Sequence, residues 1–145
     1  MIERGLYLNR LKQLKDQNLI KVITGIRRCG KSTLLEAFVN ELLKEGVATE
    51  NIIFLNFEER ENLHLTNWTT LYDEIIEQVN PDKKYYIFLD EVQLIDHFER
   101  LVNSLFTKKN IDLYVTGSNA YLLSSELATL LTGRYIAINL HPYSF

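Results

Sequence analysis

Cysteine is almost missing from this sequence, since Cys29 is the single one in 145 residues. One cysteine cannot form an internal disulfide. No apolar run approaches the roughly 20 residues that a helix needs to span a bilayer. The N-terminal stretch is charged and amphipathic and lacks the apolar core and cleavage site of a signal peptide. Together these absences favour a cytoplasmic protein that has no membrane partner.

An excess of charge of either sign is also missing. Lys and Arg number 16 and Asp and Glu number 19, which gives a net charge of −3 and a pI near 5.6. The composition therefore gives no electrostatic reason to expect a nucleic-acid partner. His64, His97 and His141 do not have the spacing of metal ligands, so no metal site is assigned to them.

What the chain does contain is typical of a soluble globular protein, with 46% hydrophobic and 24% charged residues. Its length suffices for one domain with a substantial core, residues 1–145. Apolar β-branched runs alternate with helix-like patterns, which predicts a three-layer α/β domain with a largely parallel sheet. The predicted strands are Ile20–Thr24, Asn51–Phe57, Tyr85–Leu89, Ile111–Thr116 and Tyr135–Leu140. The predicted helices cover about Tyr7–Gln17, Lys31–Lys44, a segment between Asn67 and Pro81, a segment after Asp96, and Asn119–Leu131.

Local signals predict several element ends and environments. Gly46 is the expected C-cap of the helix that starts at Lys31, and Asn67 is expected to cap the helix after it. Asp96 with Glu99 forms a predicted capping pair. The run Ile52–Leu55 is nearly continuous in apolar residues, which suits a strand buried on both faces.

The most informative stretch is KVITGIRRCGKSTLL, residues 21–35, where a strand pattern leads through a glycine-bounded loop into a helix. It fits the phosphate-binding pattern G-x-x-x-x-G-K-[ST] in the strand–loop–helix context that this pattern requires. A glycine-rich turn that merely caps a helix is the alternative, and the flanking strand and helix favour a nucleotide site. Lys31 can reach the β- and γ-phosphates and the Ser32 hydroxyl can bind Mg²⁺. The predicted nucleotide-binding residues are Gly25, Ile26, Arg27, Arg28, Cys29, Gly30, Lys31, Ser32 and Thr33.

A second motif is YYIFLDE, an apolar strand that ends in Asp90 and Glu91. Ligands of open α/β sheets bind at the carboxyl ends of the strands. Asp90 is therefore predicted to hold the Mg²⁺ that Ser32 binds. Glu91 is predicted to act as the general base that polarises the attacking water.

Two further positions carry open alternatives. The strand end YVTGSN could place Ser118 or Asn119 between the γ-phosphate and the water, or either residue could simply cap a helix. Arg134 follows Gly133 and could neutralise developing phosphoryl charge, which is worth about 10³–10⁵ in rate. It could equally be an ordinary surface arginine.

Four segments, GIRRCGKSTLL, YYIFLDEVQ, YVTGSNAYLL and LTGRYIAINLHPYSF, resemble in order and spacing the prokaryotic AAA-type P-loop ATPases in which a DUF4143 region follows the ATPase domain. The resemblance covers nearly the whole chain. It implies strand order 5-1-4-3-2, ATP and Mg²⁺ as ligands, and Lys31 with Ser32 and Asp90 with Glu91 as the Walker A and Walker B pairs. It also implies that Ser118 or Asn119 is sensor 1.

The same resemblance implies roles that involve other parts of the protein. Arg134 would act as an arginine finger on a neighbouring subunit of a homo-oligomer, and Asn56 is placed like the polar residue that restrains the catalytic glutamate. Members of that family are longer, so the chain is expected to be an N-terminal ATPase core without its lid.

Three functions follow as competing hypotheses. The leading one is a Mg²⁺-dependent ATPase that acts on an unidentified protein or nucleic-acid partner or on its own C-terminal region. The second is a nucleotide-dependent switch or scaffold with negligible hydrolysis. The third is a P-loop kinase of a small metabolite, against which the Asp90–Glu91 pair argues.

Overall fold

The computed structural model describes residues 2–25, 30–59, 67–118 and 133–140, with the backbone alone for residues 2–4. Four helices and five strands occupy these ranges. The helices are α1 (Ile2–Leu14), α2 (Lys31–Lys44), α3 (Trp68–Ile76) and α4 (Phe98–Phe106). The strands are β1 (Ile20–Thr24), β2 (Ile52–Asn56), β3 (Tyr85–Asp90), β4 (Ile111–Gly117) and β5 (Tyr135–Asn139). The predicted helix 119–131 lies outside the described residues.

The five strands form one parallel sheet in the order β2-β3-β4-β1-β5. This confirms the predicted fold class and strand order. Because all strands run in the same direction, the carboxyl ends of β1, β3 and β4 lie at one edge of the sheet. That edge, called the carboxyl edge below, receives the residues that follow Thr24, Asp90 and Gly117.

Helices cover both faces of the sheet, because alternate residues of each buried strand point to opposite sides. Ile20 and Val22 pack in one apolar cluster with residues of α3 and α4. Ile23 packs in a second cluster with residues of α1 and α2. On that second face Phe54, Phe88 and Tyr114 stack across three neighbouring strands, with ring centroids 5.8 and 4.8 Å apart. The core is therefore two apolar layers separated by the sheet.

The second helix has the predicted bounds and the predicted end. Gly46 adopts φ +97°, and its N–H donates to Leu43 O at 3.1 Å while the Val47 N–H donates to Leu42 O at 3.1 Å. These two bonds form a Schellman motif, for which glycine is the favoured residue because it alone enters the left-handed region without strain. Gly46 thus ends the helix as predicted, at the position that follows the C-cap residue Glu45.

Other predictions about elements were wrong in part. Helix α1 starts at Ile2 rather than near Tyr7 and ends at Leu14, because Asp16 has φ 66° and leaves the helical region. Strand β2 is only partly buried apart from Ile53, since it lies at the edge of the sheet and has one neighbouring strand. Asp96 is not a cap: α4 begins after His97, which has φ 59° and makes no capping side-chain hydrogen bond.

A buried polar network ties the amino ends of β1 and β4 to the segment after α1. Lys21 and Asp112 form an ion pair at 2.6 Å with side chains 0% and 1% exposed. The Tyr114 hydroxyl and the Asp16 backbone N–H donate to the other carboxylate oxygen of Asp112 at 2.7 and 2.9 Å. Each oxygen of this buried carboxylate thus has a donor, as a buried charge requires.

The network shifts the acid–base properties of its members. Burial lowers the pKa of Lys21 and outweighs the opposing attraction of Asp112. Burial also raises the pKa of Tyr114, and the negative charge of Asp112 and the hydrogen bond to it act in the same direction. Tyr114 therefore keeps its hydroxyl proton well above the ordinary range of tyrosine.

Among the helices that the structure describes, none combines the length and apolar character of a membrane span.

Candidate functional site at the carboxyl edge

The first helical turn of α2 opens the site. Gly30 precedes it with φ 97°, a left-handed conformation that favours glycine, and accepts the first helical bond from the Leu34 N–H at 2.9 Å. The preceding N–H groups of this turn have no helical acceptor, which makes a helix N-terminus suitable for anions. Thr33 lies exposed in the same turn. The loop residues Ile26, Arg27, Arg28 and Cys29 lie outside the described residues.

Lys31 brings a buried positive charge to this edge. Its side chain is 3% exposed, and Nζ donates to Gly25 O at 2.8 Å. Nζ also lies 3.3 Å from Glu91 Oε1. The helix start after β1 and the turn after β3 thus place opposite charges in contact.

Asp90 is fully buried at the last position of β3 and receives two hydroxyl groups. Ser32 Oγ donates to Asp90 Oδ2 at 2.5 Å, and Thr116 Oγ1 donates to Asp90 Oδ1 at 2.5 Å. Ser32 and Asp90 are 58 positions apart, yet they meet because β1 and β3 flank β4 in the sheet. A hydroxyl and a carboxylate oxygen side by side are the ligands that Mg²⁺ prefers, so these residues fit the predicted metal.

Glu91 turns the chain out of the sheet. It adopts φ 57° and ψ 48°, in the left-handed region, and its N–H donates to Thr116 Oγ1 at 3.0 Å. Its carboxylate has a different partner at each oxygen: Lys31 Nζ at Oε1 and Gln93 Nε2, 2.8 Å away, at Oε2. Hydrogen bonds to both its backbone and its side chain therefore fix this residue.

Ser118 follows β4 directly at the same edge, between β3, which carries Asp90, and β1, which precedes the loop to Lys31. Its Oγ is buried and has no hydrogen-bond partner within the described ranges. A buried hydroxyl that lacks a partner is unfavourable unless a ligand or water satisfies it. The alternative residue, Asn119, lies outside the described residues.

Arg134 is not brought to this edge, whereas Asn56 lies at the edge but its side-chain oxygen bonds within its own turn. The Arg134 carbonyl oxygen accepts from the N–H of Ile20, the first residue of β1, so Arg134 lies at the opposite, amino edge of the sheet. Its exposed side chain donates to Asn103 Oδ1 at 3.2 Å. Asn56 pairs in register with Asp90, but its Oδ1 accepts from the Glu58 N–H at 3.0 Å. In the structure, the Glu91 side chain is therefore hydrogen-bonded to Gln93 rather than to Asn56.

Thr116 and Gln93 are the two site residues that sequence reasoning missed. Thr116 serves Asp90 with its hydroxyl proton and Glu91 with its oxygen, and it is fully buried. A hydroxyl residue near the end of a strand that is buried throughout was the available signal, because a buried polar side chain rarely lacks a partner. Gln93 ends the segment YYIFLDEVQ, but local patterns did not reveal its contact with Glu91, since that contact depends on the left-handed turn at Glu91.

A family model described as an AAA domain matches residues 17–145 of this chain. A protein of Haemophilus influenzae is 44% identical over 147 residues, which cover 100% of this chain and 36% of that protein. A protein of Methanocaldococcus jannaschii is 32% identical over 130 residues, which cover 88% of this chain and 27% of that protein. The chain thus spans about a third or less of the length of these relatives.

Solved structures resemble the fold at low sequence identity. A structure of Drosophila ORC bound to AT-rich DNA and Cdc6 superposes with a TM-score of 0.65 at 14% identity, covering 99% of this chain and 57% of that one. A DNA polymerase III gamma subunit-related protein of Thermotoga maritima gives a TM-score of 0.65 at 9% identity, covering 91% and 45%. C. elegans PCH-2 gives 0.55 at 18% identity, covering 93% and 40%. At such identities the likeness concerns the fold alone.

Proposed function

This chain belongs to the AAA domain family, and from that membership we propose that it binds ATP with Mg²⁺ and hydrolyses it at the carboxyl edge. The observation that carries the proposal is the convergence of Lys31, Ser32, Asp90 and Glu91 from two segments that are remote in sequence. One cation, one pair of oxygen ligands and one carboxylate next to a helix N-terminus are the groups that phosphoryl transfer to water requires.

Binding involves the loop 25–30 and the first turn of α2. Backbone N–H groups of this turn receive phosphate oxygens, and Lys31 exchanges its contact with Glu91 for the phosphates. Ser32 Oγ and Asp90 would hold the Mg²⁺, which neutralises phosphate charge when it is bound. Thr116 keeps the Asp90 carboxylate in its orientation.

Hydrolysis then depends on Glu91 and Ser118. Once Lys31 has turned to the phosphates, Oε1 of Glu91 becomes available to accept a proton from water. The buried Ser118 hydroxyl supplies a donor at the end of the neighbouring strand, which is the role proposed for sensor 1.

The decisive experiment is Glu91→Gln, which keeps the size of the side chain and removes its basicity. We expect ATP affinity to stay within about threefold and steady-state turnover to fall by about 10²–10⁴, the usual contribution of a general base. ATP binding is measured by isothermal titration calorimetry and turnover by phosphate release. The matched control is Glu77→Gln, an exposed carboxylate at the end of α3, which should leave both quantities unchanged. Full turnover in Glu91→Gln would refute the proposed base.

The task of this site in the whole protein is a separate proposal. Because the chain spans 36% of its Haemophilus influenzae relative, we propose that residues 1–145 are the ATPase core of a longer protein. Hydrolysis would then drive a rearrangement of its C-terminal region or of a partner.

A further inference from the structure

The contact between Glu91 and Gln93 assigns a role to Gln93, which lies in the segment YYIFLDEVQ but receives no function from the motifs or the family resemblance. Gln93 lies in the short 3-10 turn Val92–Leu94 that directly follows Glu91. Its amide Nε2 donates to Glu91 Oε2 at 2.8 Å. The other carboxylate oxygen, Oε1, faces Lys31 Nζ at 3.3 Å. The carboxylate is thus held from two sides by groups of different kinds.

These two partners of Glu91 differ in whether they are also expected to bind the phosphates of the nucleotide. Lys31 has a second duty, because its ammonium is required at the phosphates. Gln93 is neutral and has no such duty, so its hydrogen bond to Oε2 persists when Lys31 leaves Oε1. The departure of Lys31 frees one defined oxygen, while Gln93 keeps the carboxylate from rotating.

We propose that Gln93 is the positioning residue of the general base: it fixes the plane of the Glu91 carboxylate so that Oε1 faces the attacking water. This inference rests on the proposed function, since it assumes that Glu91 is the base. In this proposal Gln93 takes the role that the family resemblance implied for Asn56, whose amide oxygen accepts from the Glu58 N–H.

The second atom of the amide supports a role beyond packing. Gln93 Oε1 is buried and has no hydrogen-bond partner in the ranges that the structure describes. An unpaired buried oxygen is unfavourable, and methionine would fill similar space without that cost. The donor group of the amide is therefore the feature that accounts for glutamine at this position.

Two substitutions test the proposal, because both keep the length of the side chain and remove the donor: Gln93→Met and Gln93→Glu. A misplaced catalytic group costs up to about a hundredfold in rate, so we expect kcat to fall by about 10–100-fold in both variants. KM for ATP and the dissociation constant of ATP should stay within about twofold, because the Gln93 amide donates to Glu91 and not to those residues of the predicted phosphate site that the structure describes. Gln78→Met is the matched control, since Gln78 is exposed and its amide donates to a backbone oxygen of α3, Glu74 O, at 3.2 Å.

A double-mutant cycle distinguishes action through Glu91 from an independent effect. If Gln93 acts through the carboxylate, Gln93→Met added to Glu91→Gln should lower the residual rate by less than about twofold, measured in single turnovers with radiolabelled ATP. If the rate loss of the double variant equals the product of the losses in the two single variants, the proposal is overturned. An unchanged kcat in Gln93→Met would also overturn it. A variant in which ATP affinity and melting temperature fall together with kcat would indicate that Gln93 has a structural role alone.

The cycle also separates this inference from the proposed function. Normal turnover in Glu91→Gln refutes the base itself. An inactive Glu91→Gln combined with a fully active Gln93→Met refutes only the positioning role.

Discussion

Thr116 shows how a single hydroxyl joins two functional residues. Its oxygen accepts from the Glu91 N–H at 3.0 Å, and its proton goes to Asp90 Oδ1. One side chain of β4 thereby sets both the orientation of the Asp90 carboxylate, proposed to hold the metal, and the start of the turn that carries Glu91, the proposed base. Valine has nearly the same shape but neither donates nor accepts a hydrogen bond.

We therefore expect Thr116→Val to lower the free energy of unfolding by about 1–3 kcal/mol, because it leaves a buried N–H and a buried carboxylate oxygen without a partner. Urea denaturation measures this. The matched control is Thr107→Val, since Thr107 is exposed and its hydroxyl donates to the nearby Ser104 O at 2.7 Å, and surface substitutions stay within about 0.5 kcal/mol. Equal stability of the two variants would contradict the assigned hydrogen bonds.

The raised pKa of Tyr114 predicts an alkaline loss of stability. The unfolded chain releases this proton near the ordinary value of 10.0, whereas the folded protein retains it. The folded state then binds more protons than the unfolded one, so stability falls as pH rises above about 10, by up to about 1.4 kcal/mol per pH unit.

The test is Tyr114→Phe, which removes the titrating group. This variant should be about 1.5–3 kcal/mol less stable than the native sequence at pH 7, because Asp112 loses one donor. The difference should narrow between pH 10 and 11, as measured by urea denaturation at each pH. Tyr72→Phe is the control on α3. A difference that stays constant across this range would exclude Tyr114 as the source of the alkaline loss.

The N-terminal ends of α3 and α4 differ in how they are capped. The Asn67 side chain caps α3, with Oδ1 accepting from the Thr70 N–H at 2.9 Å. Asp96 matches a capping pattern equally well in sequence, yet α4 has His97 at its N-cap position. The chain enters α4 from the 3-10 turn Val92–Leu94, and the Phe98 N–H donates to Ile95 O at 3.2 Å. That tight entry moves the N-cap position one residue beyond Asp96, to His97.

Asn67→Ala and Asp96→Ala form a matched pair. We expect Asn67→Ala to destabilise the fold by about 1 kcal/mol, the usual value of an N-cap. Asp96→Ala should change stability by less than about 0.5 kcal/mol, because Asp96 is exposed and caps no helix. Thermal unfolding followed by circular dichroism measures both. A larger loss for Asp96→Ala would reverse the assignment of the caps.

These elements also show what sequence could reveal. The bounds of β1 and α2 were predicted to the residue, because an apolar run, two glycines and a helical stripe mark them locally. The partial burial of β2 depends on its place at the edge of the sheet, which its own residues do not encode. Thr116 reaches Asp90 only through the register of β3 with β4. Side-chain contacts across strands were therefore beyond a reading of local patterns.

At the scale of the molecule, Arg134 lies at the edge of the sheet opposite to Lys31 and Glu91. Such a position is compatible with action on the site of a neighbouring copy, as the family likeness implies. If the arginine acts in this way, one subunit supplies Glu91 and the next supplies Arg134.

Mixing two inactive variants tests that arrangement. Arg134→Ala and Glu91→Gln should each be nearly inactive, and a one-to-one mixture should regain about a quarter of the native rate, because random assembly pairs an intact Glu91 with an intact Arg134 at that fraction of interfaces. Phosphate release at rising protein concentration measures this. A mixture no more active than its components would favour a switch with negligible hydrolysis or a surface role for Arg134.

The position of β1 in the sheet has a consequence for synthesis on the ribosome. All five of its residues are buried, yet its two neighbours are β4 and β5, whose partner residues lie about 90 and 115 positions later. Such a large sequence separation between partners slows folding, because the chain must close long loops before this strand gains its neighbours. During translation β1 emerges before both of its neighbours and remains an unpaired apolar segment until β4 has been made, a period in which chaperones protect nascent chains.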